Sequence, residues 1–160
     1  MRVVVYAVGR MKAGPERELA QRYFDRFDKS GGAVGLEFSG VMETPEGRAS
    51  DAASRKAEEA GKVLAHADGG AVLVLLDERG KSLSSEDFAA CIARYRDDGH
   101  KNVLFSIGGP DGHDERLRQK ADLVLSFGAA TWPHQLVRVM LAEQLYRAAT
   151  ILAGHPYHRA

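Results

Sequence analysis

Arg2-Val3-Val4-Val5-Tyr6-Ala7-Val8 is a continuous apolar run, β-branched for most of its length and closed by Gly9-Arg10. A strand with one wet face alternates, whereas an unbroken apolar run is expected of a strand covered on both faces, as in a parallel sheet between helix layers. Outward from it, Pro15 to Asp28 has helical spacing, with Leu19, Tyr23, Phe24 and Phe27 recurring on one face, and Ser30-Gly31-Gly32 ends it. Val34 to Val41 alternates loosely, with Leu36 and Phe38 on one side, and reads as a second strand. After the turn-like Thr44-Pro45-Glu46-Gly47, the charged, alanine-rich segment from about Ala49 to Ala67 reads as a helix.

Ala71 to Leu76 is the most apolar strand and is expected to stop at Asp77-Glu78-Arg79-Gly80-Lys81. Ser84-Ser85-Glu86-Asp87 supplies a capping oxygen and first-turn acids for a helix with the buried stripe Phe88, Ile92 and Tyr95, closed by Gly99. Asn102 to Ile107 is a fourth strand, His113 to Lys120 a short polar helix, and Leu123 to Phe127 a fifth strand. The longest helix is expected from Pro133 to Ala153, with proline in its first turn and Gly154 past its end. Its apolar residues cover more than one face, so one surface packs on the sheet and the other wants a partner or a central position. Strand and helix alternate throughout, which gives an α/β class with a mostly parallel sheet flanked by helices. The length of 160 residues fits one domain, residues 1–160, with no repeat, linker or low-complexity tract.

Composition excludes more than it selects. Lysine and arginine number 22 and so do aspartate and glutamate, so a nucleic acid would have to be held by a local patch. The first apolar run is too short for a signal-peptide core, and no run reaches the roughly 18 residues of a membrane span. The single cysteine, Cys91, sits in a helical pattern and suits a reducing compartment. Together these predict a soluble, cytoplasmic protein.

Ligands of open parallel sheets bind at the carboxyl ends of strands. Three such ends are unusual: Leu76 to Lys81, Ile107-Gly108-Gly109-Pro110-Asp111-Gly112, and Phe127-Gly128-Ala129-Ala130-Thr131-Trp132. Side chains absent or small there let a ligand lie against peptide groups, although the same residues serve a tight turn or close packing. No Gly-x-Gly-x-x-Gly follows the first strand, and neither a P-loop nor a Gly-x-Ser-x-Gly elbow occurs. The closing His155-Pro156-Tyr157-His158-Arg159 combines two imidazoles, a phenol and a guanidinium, which offer base stacking, proton relay and phosphate contact. His155 and His158 lack the neighbouring ligands a metal would need, so no metal is expected. Arg138 and Arg147 could extend a phosphate contact or form a solvated helix face.

Five blocks, taken together, resemble one family. They are Ala7-Val8-Gly9-Arg10; Leu76-Asp77 with Gly80-Lys81; Ile107-Gly108-Gly109-Pro110; Thr131-Trp132-Pro133-His134-Gln135 with Arg138 and Glu143-Gln144-Leu145-Tyr146-Arg147-Ala148; and the closing pentapeptide. The chain is similar over nearly its full length to the ribosomal RNA large subunit methyltransferase H family of the knotted SPOUT class. The resemblance implies a C-terminal trefoil knot, which the general rule against threaded connections would not have supplied. It also implies a homodimer and S-adenosyl-L-methionine held by Leu76, Gly108, Phe127, Gly128, Ala129, Ala130, Thr131 and Trp132. The implied reaction is methylation of N3 of pseudouridine 1915, in helix 69 of 23S ribosomal RNA in the assembled ribosome.

On that reading His158 is the first candidate to assist loss of the N3 proton, since imidazole exchanges protons near neutral pH and the tail is expected to be mobile. Tyr157 would stack on the base, and Arg159, with His155, Arg138 and Arg147, would contact RNA. Trp132 stands where relatives often carry a smaller apolar residue; its indole is expected to fill core, with the adenine slot as the other possibility. Two rival functions remain open: another SPOUT enzyme acting on transfer RNA or a different ribosomal position, and a ribosome-binding module that keeps the fold without catalysis.

Overall fold

A computed structural model describes residues 1–159; Ala160, the last residue of the expected domain, lies outside the described residues. Five strands, β1 (Arg2–Val8), β2 (Glu37–Thr44), β3 (Val72–Ser82), β4 (Asn102–Ile107) and β5 (Leu123–Ser126), form one sheet in the order β2-β1-β4-β3-β5, with every pairing parallel. The helices are α1 (Pro15–Gly31), α2 (Ala52–Ala67), α3 (Ser85–Asp97), α4 (Glu115–Lys120) and α5 (His134–Leu152).

The unbroken apolar runs do divide between two faces. Val3, Val5 and Ala7 of β1, Val74 and Leu76 of β3, and Phe105 and Ile107 of β4 share a core with residues of α1, α3 and α5. The alternate residues Tyr6, Val8, Leu73, Leu75 and Leu104 join Ala60 and Val63 of α2 and Leu117 of α4 in a second core. A period of two therefore sorts each strand's side chains between the helix layers, and polar substitutions have no wet face to occupy.

Helix starts follow local chemistry. Asp51, Ser84 and Asp114 accept hydrogen bonds from the amides of Ser54 (2.8 Å), Asp87 (3.1 Å) and Arg116 (2.8 Å), satisfying donors that the first turns of α2, α3 and α4 leave free. These caps also explain two shifts from expectation. The second helix starts at Ala52 rather than near Ala49, and the fourth at Glu115 rather than His113, whose ring turns into the core. The second strand begins three residues late because α1 runs on into a short 3-10 turn, closed by Gly35 in the left-handed region (φ 75°).

β3 does not stop at Asp77, as its charged residues led us to expect. Residues 77–80 bulge out of the sheet, and then Lys81 and Ser82 pair with Leu125 and Ser126 of β5. From β4 the chain passes through α4 to the far side of β3, forms β5, and returns along α5 over the face that carries α1 and α3. Both glycine-rich turns and the bulge thus lie at the carboxyl edge of the sheet, around the first turn of α5.

Candidate active site

That edge holds a cavity of about 660 Å³, within the range of small-molecule sites. The bulge gives it Leu76, Asp77, Glu78 and Arg79; the turn after β4 gives Ile107 through His113; the segment after β5 gives Phe127, Gly128, Ala130, Thr131, Trp132 and Pro133; and α5 gives His134 and Val137. Of the residues expected to hold a cofactor, Leu76, Gly108, Phe127, Gly128, Ala130, Thr131 and Trp132 line it, whereas Ala129 is exposed and does not. His113, His134 and Val137 were missed as lining residues. His134 lay inside a quoted block, but His113 carried no signal beyond its place after the glycine turn.

The turn is held from behind. Gly109 accepts from the amide of Gly112 at 3.0 Å, and Arg55 of α2 clamps Asp111 through two bonds of 2.7 and 3.2 Å. A side chain on Gly109 would meet Val8 at 3.0 Å and the Glu59 carboxylate at 3.3 Å, so the bare backbone is needed for close packing. Glu59 is itself buried, accepts from the amide of Gly47 at 2.8 Å, and has its pKa raised by that burial despite the amide. On Gly108, a side chain would press on the ring of His113 at 3.3 Å. Burial lowers the pKa of His113, and its Nε2 has no hydrogen-bond partner among the described residues.

The bulge is tied down by charged hydrogen bonds. Asp77, with a side chain only 5% exposed, accepts from the Arg79 amide at 2.9 Å and from Arg118 at 2.7 Å. Burial alone would raise its pKa, but the hydrogen bonds from Arg79 and Arg118 prevail and hold it at about 2. Across the cavity mouth, Thr131 donates to the Glu78 carboxylate at 2.8 Å, and the Ser126 hydroxyl lies 3.1 Å from the Glu78 carbonyl and 2.9 Å from that of Gly128. Glycine suits position 128 because its φ of 113° is closed to most side chains.

Two side chains are not where the sequence put them. Trp132 is 44% exposed at the cavity mouth rather than in the core, because the segment it belongs to is spent on crossing from β5 to α5. Arg138, expected at a phosphate, is buried: it donates to the Gly9 carbonyl at 3.3 Å and pairs with Glu43 at 3.4 Å, while Glu43 accepts from the Met11 amide at 2.7 Å. Burial lowers the guanidinium's pKa and Glu43 opposes the shift. The arrangement ties the first turns of α5 to the loop after β1.

The tail is docked, not loose. The Tyr157 hydroxyl donates to Glu143 at 3.1 Å, its ring centroid is 4.7 Å from that of Tyr146, and the Arg147 guanidinium lies 4.9 Å over the ring. Burial, with Tyr23 and Glu143 adding to it, pushes the phenol up to about 12. His158 has Arg147 3.2 Å from Nδ1 and Glu86 2.6 Å from Nε2. Arg147 also bonds Glu143 at 2.6 Å, so it is committed within the chain rather than free for RNA. His155 and Arg159 are exposed. No tail residue among those described lines the cavity. The tail sits beside Arg147, ten residues beyond Val137, which is about 15 Å along α5. Between them Leu19, Tyr23, Leu83, Phe88, Phe127, Val139 and Met140 line a smaller groove of about 450 Å³, with Leu19 and also Leu136 of α5 exposed.

A family described as predicted SPOUT methyltransferase matches residues 1–158. Ribosomal RNA large subunit methyltransferase H of Brucella anthropi and of Mesorhizobium japonicum are each 65% identical over 160 residues. That of Brucella abortus is 62% identical over 169 residues, and in all three the alignment covers 100% of both chains. Likeness of this extent over the full length leaves no room for a distant kinship of fold alone: the chain belongs to the SPOUT methyltransferase family.

Proposed function

We propose that this chain, as a homodimer, transfers the methyl group of S-adenosyl-L-methionine to N3 of pseudouridine 1915 in 23S ribosomal RNA of the assembled ribosome. The relatives' names supply the substrate class. The observation that carries the reading is the cavity of about 660 Å³ at three strand ends, lined by Gly108, Gly128 and Ala130 and walled by Leu76, Phe127 and Trp132. Exposed peptide groups and apolar walls suit a ligand with a flat base and a thin amino-acid chain. The trefoil knot goes with the family, and the course of the chain past β3 and back along α5 accords with it. The reaction is placed in the cytoplasm, where the ribosomes are.

Leu76, Gly108, Phe127, Gly128, Ala130, Thr131 and Trp132 would hold the cofactor, with Ala129 beside them. When bound, S-adenosyl-L-methionine supplies a methyl group on a positively charged sulfur. The protein supplies position: Arg55, Glu59 and His113 hold the glycine turn, Asp77 and Arg118 hold the bulge, and Trp132 covers the mouth. N3 loses a proton as its bond to carbon forms, so a group must receive it. As docked, the tail of one protomer lies about 15 Å along a continuous helix from its own cavity, and we assign it to the partner's cavity. There His158 takes the proton role through Nδ1 once its contact with Arg147 opens, while Tyr157 faces the base and Arg159 a phosphate. The groove and the exposed Leu19 and Leu136 give the second copy an apolar surface.

Mass spectrometry of large-subunit RNA, from ribosomes of cells lacking this protein and incubated with it and S-adenosyl-L-methionine, tests the reading. A new methyl group on that pseudouridine is expected. Methylation of transfer RNA or another ribosomal position would favour a different enzyme of the family, and absence of calorimetric heat at millimolar S-adenosyl-L-methionine would favour a module without catalysis.

A further inference from the structure

His158 is gripped from both sides, and the chemistry of the two partners fixes where its proton sits. Arg147 Nη1 lies 3.2 Å from Nδ1. A guanidinium has donors and no acceptor, so Nδ1 must be the bare nitrogen. Nε2, 2.6 Å from Glu86 Oε1, then carries the proton and donates it to the carboxylate. Glu86 is well placed to stay ionised: it belongs to the first turn of α3, where helix amides favour negative charge, and its own amide and then His158 lower its pKa. The groups around the ring are thus Glu86 from α3, Arg147 with its partner Glu143 from α5, and Tyr157 from the tail.

We propose that Glu86 is a positioning residue for the methyl transfer, which holds the proton on Nε2 and the direction of the His158 ring once Arg147 lets go of Nδ1, and so leaves Nδ1 as the nitrogen able to accept a proton. This rests on the function proposed above. Glu86 touches neither the cavity nor any residue lining it through a hydrogen bond, so it acts only through the tail. An acidic residue that holds an imidazole by one nitrogen and frees the other for proton transfer is a general device of acid–base catalysis. Here the acid lies 72 residues before the histidine and the histidine two residues before the last of the chain, so only the fold brings them together.

Nitrogen-15 NMR of the ring in the full-length protein is the test, with Glu86→Gln and Glu86→Ala beside it. The wild type is expected to show His158 protonated on Nε2. Glu86→Gln, which keeps an accepting oxygen, is expected to preserve that signature. Glu86→Ala combined with Arg147→Ala is expected to give an averaged tautomer where Arg147→Ala alone keeps Nε2 protonated, and Glu86→Ala alone a kcat about tenfold lower with KM for S-adenosyl-L-methionine unchanged. Protonation on Nδ1 in the wild type, or a His158 spectrum in the Arg147→Ala background that is indifferent to Glu86→Ala, overturns the proposal. The ring is read without turnover, so a protein that failed to methylate ribosomes yet showed the expected tautomers would refute the function and not the role of Glu86.

Discussion

Replacing Gly80 by alanine should damage the cavity by a route that can be worked out from distances. A Cβ at that position would stand 2.5 Å from the Val124 carbonyl oxygen, 2.7 Å from its carbon and 2.8 Å from the carbonyl carbon of Leu125. Ordinary contact begins near 3.4 Å, so β5 and the bulge must part by about 0.9 Å. All three neighbours are backbone atoms, so no side-chain rotation relieves the clash. The separation falls on the pairings of Lys81 with Leu125 and Ser82 with Ser126, and on the Ser126 contact to Glu78. At about 1 kcal/mol for each weakened hydrogen bond, the variant should lose about 2–3 kcal/mol, or about 5–10 °C in Tm for a chain of this size.

The same movement shifts Glu78 away from Thr131 at the cavity mouth, so calorimetry should show S-adenosyl-L-methionine binding at least about tenfold weaker than in the wild type. Gly61→Ala is the control. Gly61 lies inside α2 with helical backbone and nothing within 4 Å of an added Cβ. It should stabilise the protein by about 0.5–1 kcal/mol without touching the cavity. A Gly80→Ala protein that melted and bound as the wild type does would refute the claim that the bulge is packed on β5 to tolerance.

Three further outcomes are expected. Arg55→Ala should free Asp111 and loosen the glycine turn, raising KM for S-adenosyl-L-methionine about threefold with kcat little changed, and Arg55→Lys should recover part of it. Asp77 has a folded pKa of about 2 against an ordinary 3.8, so its contribution of about 2 kcal/mol is present above pH 4 and lost as pH falls towards 2; Asp77→Asn should flatten that part of an acid-unfolding curve. His113 has its folded pKa lowered by burial, so the unfolded chain binds the extra proton below about 6.5 and stability should rise with pH up to that value; His113→Leu should abolish this dependence in urea titrations at a series of pH values.

What the sequence made legible was local or periodic. Arg2–Val8 and Asn102–Ile107 fall where the apolar runs fall, and Ser84 caps α3 because its oxygen is within reach of an amide three residues on. The glycine ends of β4 and β5 marked the edge of the sheet where the cavity lies. What escaped depends on partners far along the chain. Lys81 and Ser82 look like the end of a strand until β5, more than forty residues later, offers an edge to pair with. Arg138 looks like a solvated or phosphate-binding cation because nothing near it announces Glu43 and the Gly9 carbonyl. Glu59 reads as part of a charged helix face, yet it packs against Gly109.

The division of labour along α5 bears most directly on assembly. Its first turn lines the cavity and its later turns anchor the tail, with Leu141, Ala142, Leu145, Ala148 and Ala149 fully buried between. As docked, the tail lies about 15 Å along this helix from its own cavity, and the proposed site therefore takes its cavity and its tail from different copies. A Gly108→Val protein, whose added Cβ presses on Gly112 and His113 at 3.3 Å, should keep a sound tail and lose its cavity. A chain ending at Gly154 should keep the cavity and lose the tail. Each alone is expected to be inactive, while sedimentation shows both as dimers. Mixed in equal amounts and allowed to exchange, half the dimers are hybrids with one complete site of two, so about a quarter of wild-type methylation should return. If exchange is demonstrated by sedimentation of differently labelled chains and no activity returns, the tail serves its own protomer and the paired site is wrong.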